Sequence, residues 1–165
     1  MKRYLLISFL ILGLVLVISC SKDDDKGTEP TPVDEWIGTW LSAGTDVAPI
    51  LVTVFQYDSV RVELRENNTV KTSSHVKNGA WTDIEGTYTV TKSASGSIHS
   101  VKFVYPAFSQ EGIMEVTVGN PTTMKLEVVQ TVPDIGATPR TPETGFGSDP
   151  TLGTLNIQKY VKISD

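Results

Sequence analysis

The residues able to do chemistry are one cysteine, two histidines and nineteen carboxylates, and their spacing decides what they can do. His75 and His99 stand far apart, with no cysteine or local acidic pattern beside either. A zinc ion takes three or four ligands in short, recognisable spacings, so both are expected to be exposed strand histidines, and no metal is expected. Asp23-Asp24-Asp25 is a contiguous run without the alternating oxygens and turn glycine of a calcium loop. No serine occupies a Gly-x-Ser-x-Gly elbow, and no nucleophile stands beside a base and an orienting acid. Glu63 with Glu66, and Glu111 with Glu115, are near pairs. A glycosidase needs such carboxylates at a defined separation across a cleft; on alternating runs they read as charged strand faces. The chain is therefore expected to be non-enzymatic and to carry no cofactor.

Cys20 is the exception, because its position gives it a role. Lys2 and Arg3 form a basic start, and an apolar run follows from Tyr4 to Ile18, broken by Ser8 and Gly13. The run falls short of the roughly 20 apolar residues of a membrane-spanning helix and has the layout of a secretory signal, here residues 1–19. Val17-Ile18-Ser19-Cys20 resembles the lipobox of bacterial lipoproteins. The resemblance implies lipidation of the Cys20 thiol, cleavage before it, and a membrane partner reached through the lipid. A single acyl chain anchors only reversibly, with an association constant of about 10⁴ M⁻¹, and stable anchoring takes two signals. As the only cysteine, Cys20 leaves no intrachain disulfide. Ser21-Lys22-Asp23-Asp24-Asp25-Lys26 resembles the export signal of Bacteroidota-type surface lipoproteins, with Lys22, Asp23 and Asp24 as its core. By that resemblance the protein is anchored in the outer membrane and exposed at the cell surface.

The 165 residues hold 14 Lys and Arg against 19 Asp and Glu; without Lys2 and Arg3 the balance is 12 against 19, a formal charge of −7. Nucleic-acid binding rests on basic neutralisation of phosphates, so that class is excluded. Residues 20–34 are acidic and polar, with Gly27, Pro30 and Pro32; such composition buries no core and reads as a flexible tether.

From residue 35 to 165 the pattern is of short β-type runs separated by turn residues, with no strong amphipathic helix. Ile50 to Tyr57 is apolar and β-branched, and is expected to be a strand. Val60, Val62 and Leu64 alternate with Arg61, Glu63 and Arg65, the period-2 signature of a half-buried strand. Asn67-Asn68 suits the positive φ angles of a tight hairpin, and Thr69 to Val76 is the returning strand. Further runs are Gly86 to Val90, Val101 to Tyr105, Met114 to Val118, Met124 to Val128 and Leu155 to Ile163; in the last, Leu155, Ile157, Val161 and Ile163 share one face and Gln158 and Tyr160 the other. Pro133 to Gly153 is a long Pro- and Gly-rich loop; loops beyond about 12–15 residues are uncommon and are often functional or disordered. Eight or nine antiparallel strands with tight connections make a barrel or a sandwich.

Trp36-Ile37-Gly38-Thr39-Trp40 resembles the Gly-x-Trp opening of lipocalins and smaller lipocalin-like proteins. Leu64 to Val70, Ala80-Trp81, Gly86-Thr87-Tyr88 and Tyr160-Val161-Lys162-Ile163 resemble their hairpin, strand-start and closing-strand segments. The resemblance implies a single antiparallel up-and-down β-barrel of about eight strands, with Trp40 on the first strand plugging one end. Two features depart from full lipocalins: there is no Thr-Asp-Tyr motif, and Lys159 or Lys162 takes the place of the Arg that covers the plug.

A barrel of this size is either filled by side chains or holds one small ligand, and the sequence leaves both open. The candidate plug and lining residues are Trp40, Phe55, Tyr88, Phe103, Tyr105 and Met114. Phe146, in the long loop, is expected to fold back as a lid over the mouth or core rather than to stand out as a contact. Asp58-Ser59-Val60 resembles the O-glycan acceptor of Bacteroidota-type exported proteins, with Ser59 as acceptor. Three functions remain: a carrier of a small apolar or amphipathic ligand, an accessory module bound to an outer-membrane protein partner, and a glycan-binding β-sandwich.

Overall fold

The computed structural model describes residues 33–165. Cys20, Lys22, Asp23 and Asp24 lie outside them, so the leader, the anchor and the export signal remain expectations. Eight strands follow in chain order: β1 (Gly38–Ala43), β2 (Tyr57–Leu64), β3 (Thr69–Val76), β4 (Trp81–Thr91), β5 (Ile98–Val104), β6 (Ser109–Thr117), β7 (Thr123–Val132) and β8 (Gln158–Ser164). Each pairs antiparallel with the next, and β8 returns to pair with β1. The fold is thus the expected all-β, closed up-and-down barrel, and closure overturns the β-sandwich alternative.

Alternation builds it as the sequence indicates. Val60, Val62 and Leu64 on β2, Met114 and Val116 on β6, and Met124 and Leu126 on β7 are all buried in one core. Asn68 takes φ 62° in the β2–β3 turn, and Asn67 Oδ1 accepts from the Thr69 amide at 3.2 Å and its hydroxyl at 2.6 Å. Outside, charges alternate with these residues and pair across strands: Lys71 with Asp83 at 2.7 Å, Lys102 with Glu111 at 2.9 Å, Lys125 with Glu115 at 3.4 Å. Glu63 is held by Arg65 at 2.7 Å. Of the four glutamates considered as catalytic pairs, Glu63, Glu111 and Glu115 are engaged with cations on the outer wall.

Three expectations are corrected. Ile50 to Tyr57 is not a strand: Pro49–Phe55 is a helix, α1, between β1 and β2. Pro49 opens it, where proline's missing N–H costs nothing, and Gln56 closes it at φ 59°. Phe55 is consequently on a helix end and 53% exposed, not on an inward strand face. In β8, whose inward face the sequence leaves open, the inward row is Gln158 and Tyr160, both buried, because they pair with the inward residues Leu126 and Met124 of β7. Leu155 falls in a 3-10 turn before the strand and is exposed. The two histidines are on strands but half-buried rather than exposed: His75 Nδ1 meets Asp58 Oδ1 at 2.6 Å, and His99 packs edge-on to Trp36 at 5.8 Å.

The long loop lies against the barrel's own outer wall. The Gly147 amide donates to Glu127 Oε2 at 2.8 Å, and Asn156 Nδ2 donates to the Val128 carbonyl at 2.6 Å. Arg140 and Asp149 pair at 3.4 Å with both side chains largely covered. Outward-facing Glu127 is therefore buried, as is its cross-strand neighbour Ile113. Phe146 does fold back, but onto this wall, with Lys125 Nζ 4.7 Å from its ring centroid, and not over the mouth or core.

β4 changes neighbours midway: up to Thr87 it pairs with β3, and from Thr87 onward with β5. Gly86 lies at that change. A Cβ there would collide with the Val104 carbonyl oxygen and approach Tyr105 Cδ1 at 2.9 Å. Gly86→Ala is expected to lower stability by about 1–3 kcal/mol, the usual range for overpacking. Gly119→Ala, whose Cβ would meet only Pro121 O at 3.4 Å, is expected to stay within about 0.5 kcal/mol of the parent. Urea midpoints of the two variants check both.

Candidate functional site: a chamber in the open half of the barrel

One end of the barrel is solid. Trp40 is fully buried on β1, and its indole Nε1 donates to the Trp36 carbonyl at 2.8 Å. Lys162 Nζ sits 5.7 Å from the Trp40 ring centroid, the covering role expected of Lys159 or Lys162. Lys92 covers Trp36 similarly, at 5.1 Å. Tyr88 donates to the Arg65 carbonyl at 2.9 Å, tying β4 to the β2–β3 turn at this end. Met114, Val101, Val116 and Met124 complete the packed floor.

The other half is hollow. A chamber of about 500 Å³ lies among Val60, Val62, Thr72, Ser74, Ile84, Phe103, Tyr105, Leu126, Gln158 and Tyr160, with Leu51 and Phe55 of α1, Tyr57, Phe108, Gln130 and Asn156 towards its mouth. The six candidates thus divide. Trp40, Tyr88 and Met114 belong to the packed core and do not line the chamber; Phe103 and Tyr105 line its wall, and Phe55 lies at its rim. The filled and hollow readings each describe one half of the barrel.

Sequence reasoning missed Leu51, Ile84, Phe108, Gln158 and Tyr160. Leu51 was hidden by reading α1 as a strand. Ile84 sits among the polar residues Thr82, Asp83 and Glu85, where no apolar run draws attention to it. For Gln158 and Tyr160 the alternation was visible, but lysines occur on both faces, and only the register with β7 decides which points in.

None of the twenty lining residues is Asp, Glu, Lys, Arg or His. The polar groups are hydroxyls and amides. Tyr105 Oη and Thr72 Oγ1 lie 2.7 Å apart, and the Ala48 amide donates to Gln158 Oε1 at 2.7 Å. Burial pushes the phenols of Tyr105 and Tyr160 above the usual tyrosine range; for Tyr105 the Thr72 hydrogen bond works in the opposite direction. Tyr88 is raised by burial as well. Ser59 stands on β2 between Ala43 and His75 of the neighbouring strands, adjacent to the Asp58–His75 contact. Among the described residues no three His, Cys, Asp or Glu side chains gather where a metal ion could sit.

The fold and site define a β-barrel plugged at one end and chambered at the other, with an uncharged lining. Compared with family models, with curated proteins and with solved structures, the chain matches none.

The raised phenols set a pH dependence. Above about pH 10 the unfolded tyrosines lose their protons while the native ones keep them, so the unfolded state binds fewer protons and stability falls as pH rises. Urea midpoints are expected to be unaffected by these groups below about pH 9 and to decline above about pH 10. Tyr160→Phe is expected to make that alkaline decline shallower. An identical decline in the variant would show that Tyr160 contributes nothing to it.

Proposed function

We propose that this chain is a membrane-anchored, lipocalin-like lipoprotein that holds one small apolar or amphipathic molecule in the open half of its barrel, without catalysis. The chamber carries this reading. Its volume of about 500 Å³ falls in the ~300–1,000 Å³ range of small-molecule sites, and its mostly apolar wall with a few placed polar groups is typical of them. The accessory-module reading draws no support from the 133–153 loop, which packs on the barrel itself. Saturable binding of the neutral dye Nile red, displaced by an apolar competitor, is expected for the purified protein. A linear, non-saturating dye response would count against a carrier.

The address of the protein follows from Cys20 and the residues after it. Two acyl groups at Cys20 would hold the chain in the outer membrane, and the Lys22-Asp23-Asp24 segment directs it to the cell surface. Cys20→Ala is expected to abolish lipid labelling of the chain. Added protease is expected to degrade the wild-type protein on intact cells. Protection until lysis would place it on the inner leaflet instead.

A further inference from the structure

We propose that the open end of the barrel docks, through α1, on the lipid surface of the membrane to which Cys20 is anchored, bringing the mouth of the chamber to the bilayer. This goes beyond the carrier reading and rests on the Cys20 anchor stated with it.

Exposed apolar surface is gathered at one end of the molecule. Because each strand runs antiparallel to the next, the β1–β2, β3–β4, β5–β6 and β7–β8 connections share the open end. Of the twelve large apolar residues that stand exposed, nine lie in these connections or at the strand ends they join, Val52, Val54, Phe55, Trp81, Val132 and Leu155 among them. The plugged end has the other three. Exposed apolar surface gathered in one place marks a contact with a protein or a membrane.

The chemistry of α1 favours the membrane. A helix that is apolar all round is ordinarily buried in a core or in lipid. In Pro49–Phe55 only Thr53 is polar, yet Val52, Val54 and Phe55 are 43%, 61% and 53% exposed. The Thr53 hydroxyl donates to the Pro49 carbonyl at 2.8 Å, so this side chain needs no partner from outside, the condition that lipid imposes on polar groups. Residues 47–57 carry no charge, so the helix offers a charged protein partner nothing to pair with.

The length of chain before the barrel permits the contact. The described chain enters at the plugged end, where Trp36 accepts from Trp40. Residues 20–32 separate Cys20 from it, and at about 3.6 Å each they reach at most about 47 Å. The strand β2 (Tyr57–Leu64), at about 3.3 Å per residue and a tilt of about 40°, gives the wall an axial height of about 20 Å. The linker is therefore long enough to run from a membrane at the mouth back to the plugged end. A short linker holds its ends together at an effective concentration on the order of millimolar, so a weak contact suffices.

The test couples the chain from residue 20, through the Cys20 thiol, to a maleimide lipid in phosphatidylcholine vesicles with brominated acyl chains. Val54→Trp places a fluorescent reporter at the open end, and Val118→Trp places one at the plugged end, where Val118 is also exposed. Each is read against the wild-type chain, whose three tryptophans give the background. The reporter at position 54 is expected to be quenched beyond that background, and the one at position 118 is not. Adding Val52→Asp, or Val52→Asn should the charged variant fold poorly, is expected to reduce the extra quenching severalfold. Deleting residues 24–31 cuts the reach to about 18 Å, less than the wall's height, and is expected to abolish it. Equal quenching of the two reporters, or extra quenching that survives the Val52 changes or the shortened linker, overturns the proposal. No extra quenching at position 54 also overturns it, and leaves the rim to a protein partner. Loss of saturable Nile red binding with the position-54 reporter still quenched overturns the carrier reading alone.

Discussion

An eight-stranded barrel has an interior just wide enough for its own side chains to fill, and the rest of this structure depends on that limit. Whether a given layer is solid or hollow is decided by the size of the residues pointing in. Near the β1 start those are Trp40, Tyr88, Met114 and Met124, and the layer is solid. Towards the α1 end they include Val60, Thr72, Ser74 and Thr82, and space remains. The chamber is the direct result of small inward residues in a sheet that closure prevents from collapsing.

Closure also fixes where polarity can go. With β8 paired to both β7 and β1, every residue of β8 has a set face, and its inward row brings Gln158 and Tyr160 inside. A buried amide and a buried phenol are costly unless hydrogen-bonded. One end of the Gln158 amide is satisfied by Ala48, at the start of α1, which ties the mouth helix to the closing strand. The outer wall follows the opposite rule: its charges pair with one another in water, where each exposed pair contributes little to stability but keeps the wall soluble.

Much of the barrel was legible in the sequence because strands with one wet face alternate strictly. β2, β6 and β7 follow their valines, leucines and methionines, and Asn67-Asn68 marks the first hairpin. Trp40 of Gly38-Thr39-Trp40 is fully buried on β1, with Lys162 Nζ 5.7 Å from its ring centroid. The rest was hidden for identifiable reasons. Ile50 to Tyr57 has strand-like composition, but its first six residues, together with Pro49, form a helix, because a connection across the barrel end is set by tertiary context and by Pro49 at its first turn. Glu127 looked like an ordinary solvated strand charge. Its burial depends on Gly147, twenty positions away in a loop without periodicity. The inward face of β8 could be chosen only once the register with Leu126 and Met124 was known.

The central claim is that the open half of the barrel carries a molecule in the cell. Native mass spectrometry of the protein purified from its own host tests this most directly. The expected spectrum shows the folded chain with one added small-molecule mass that disappears on unfolding. A folded chain found only at its own mass, and still unable to take up Nile red, would contradict it.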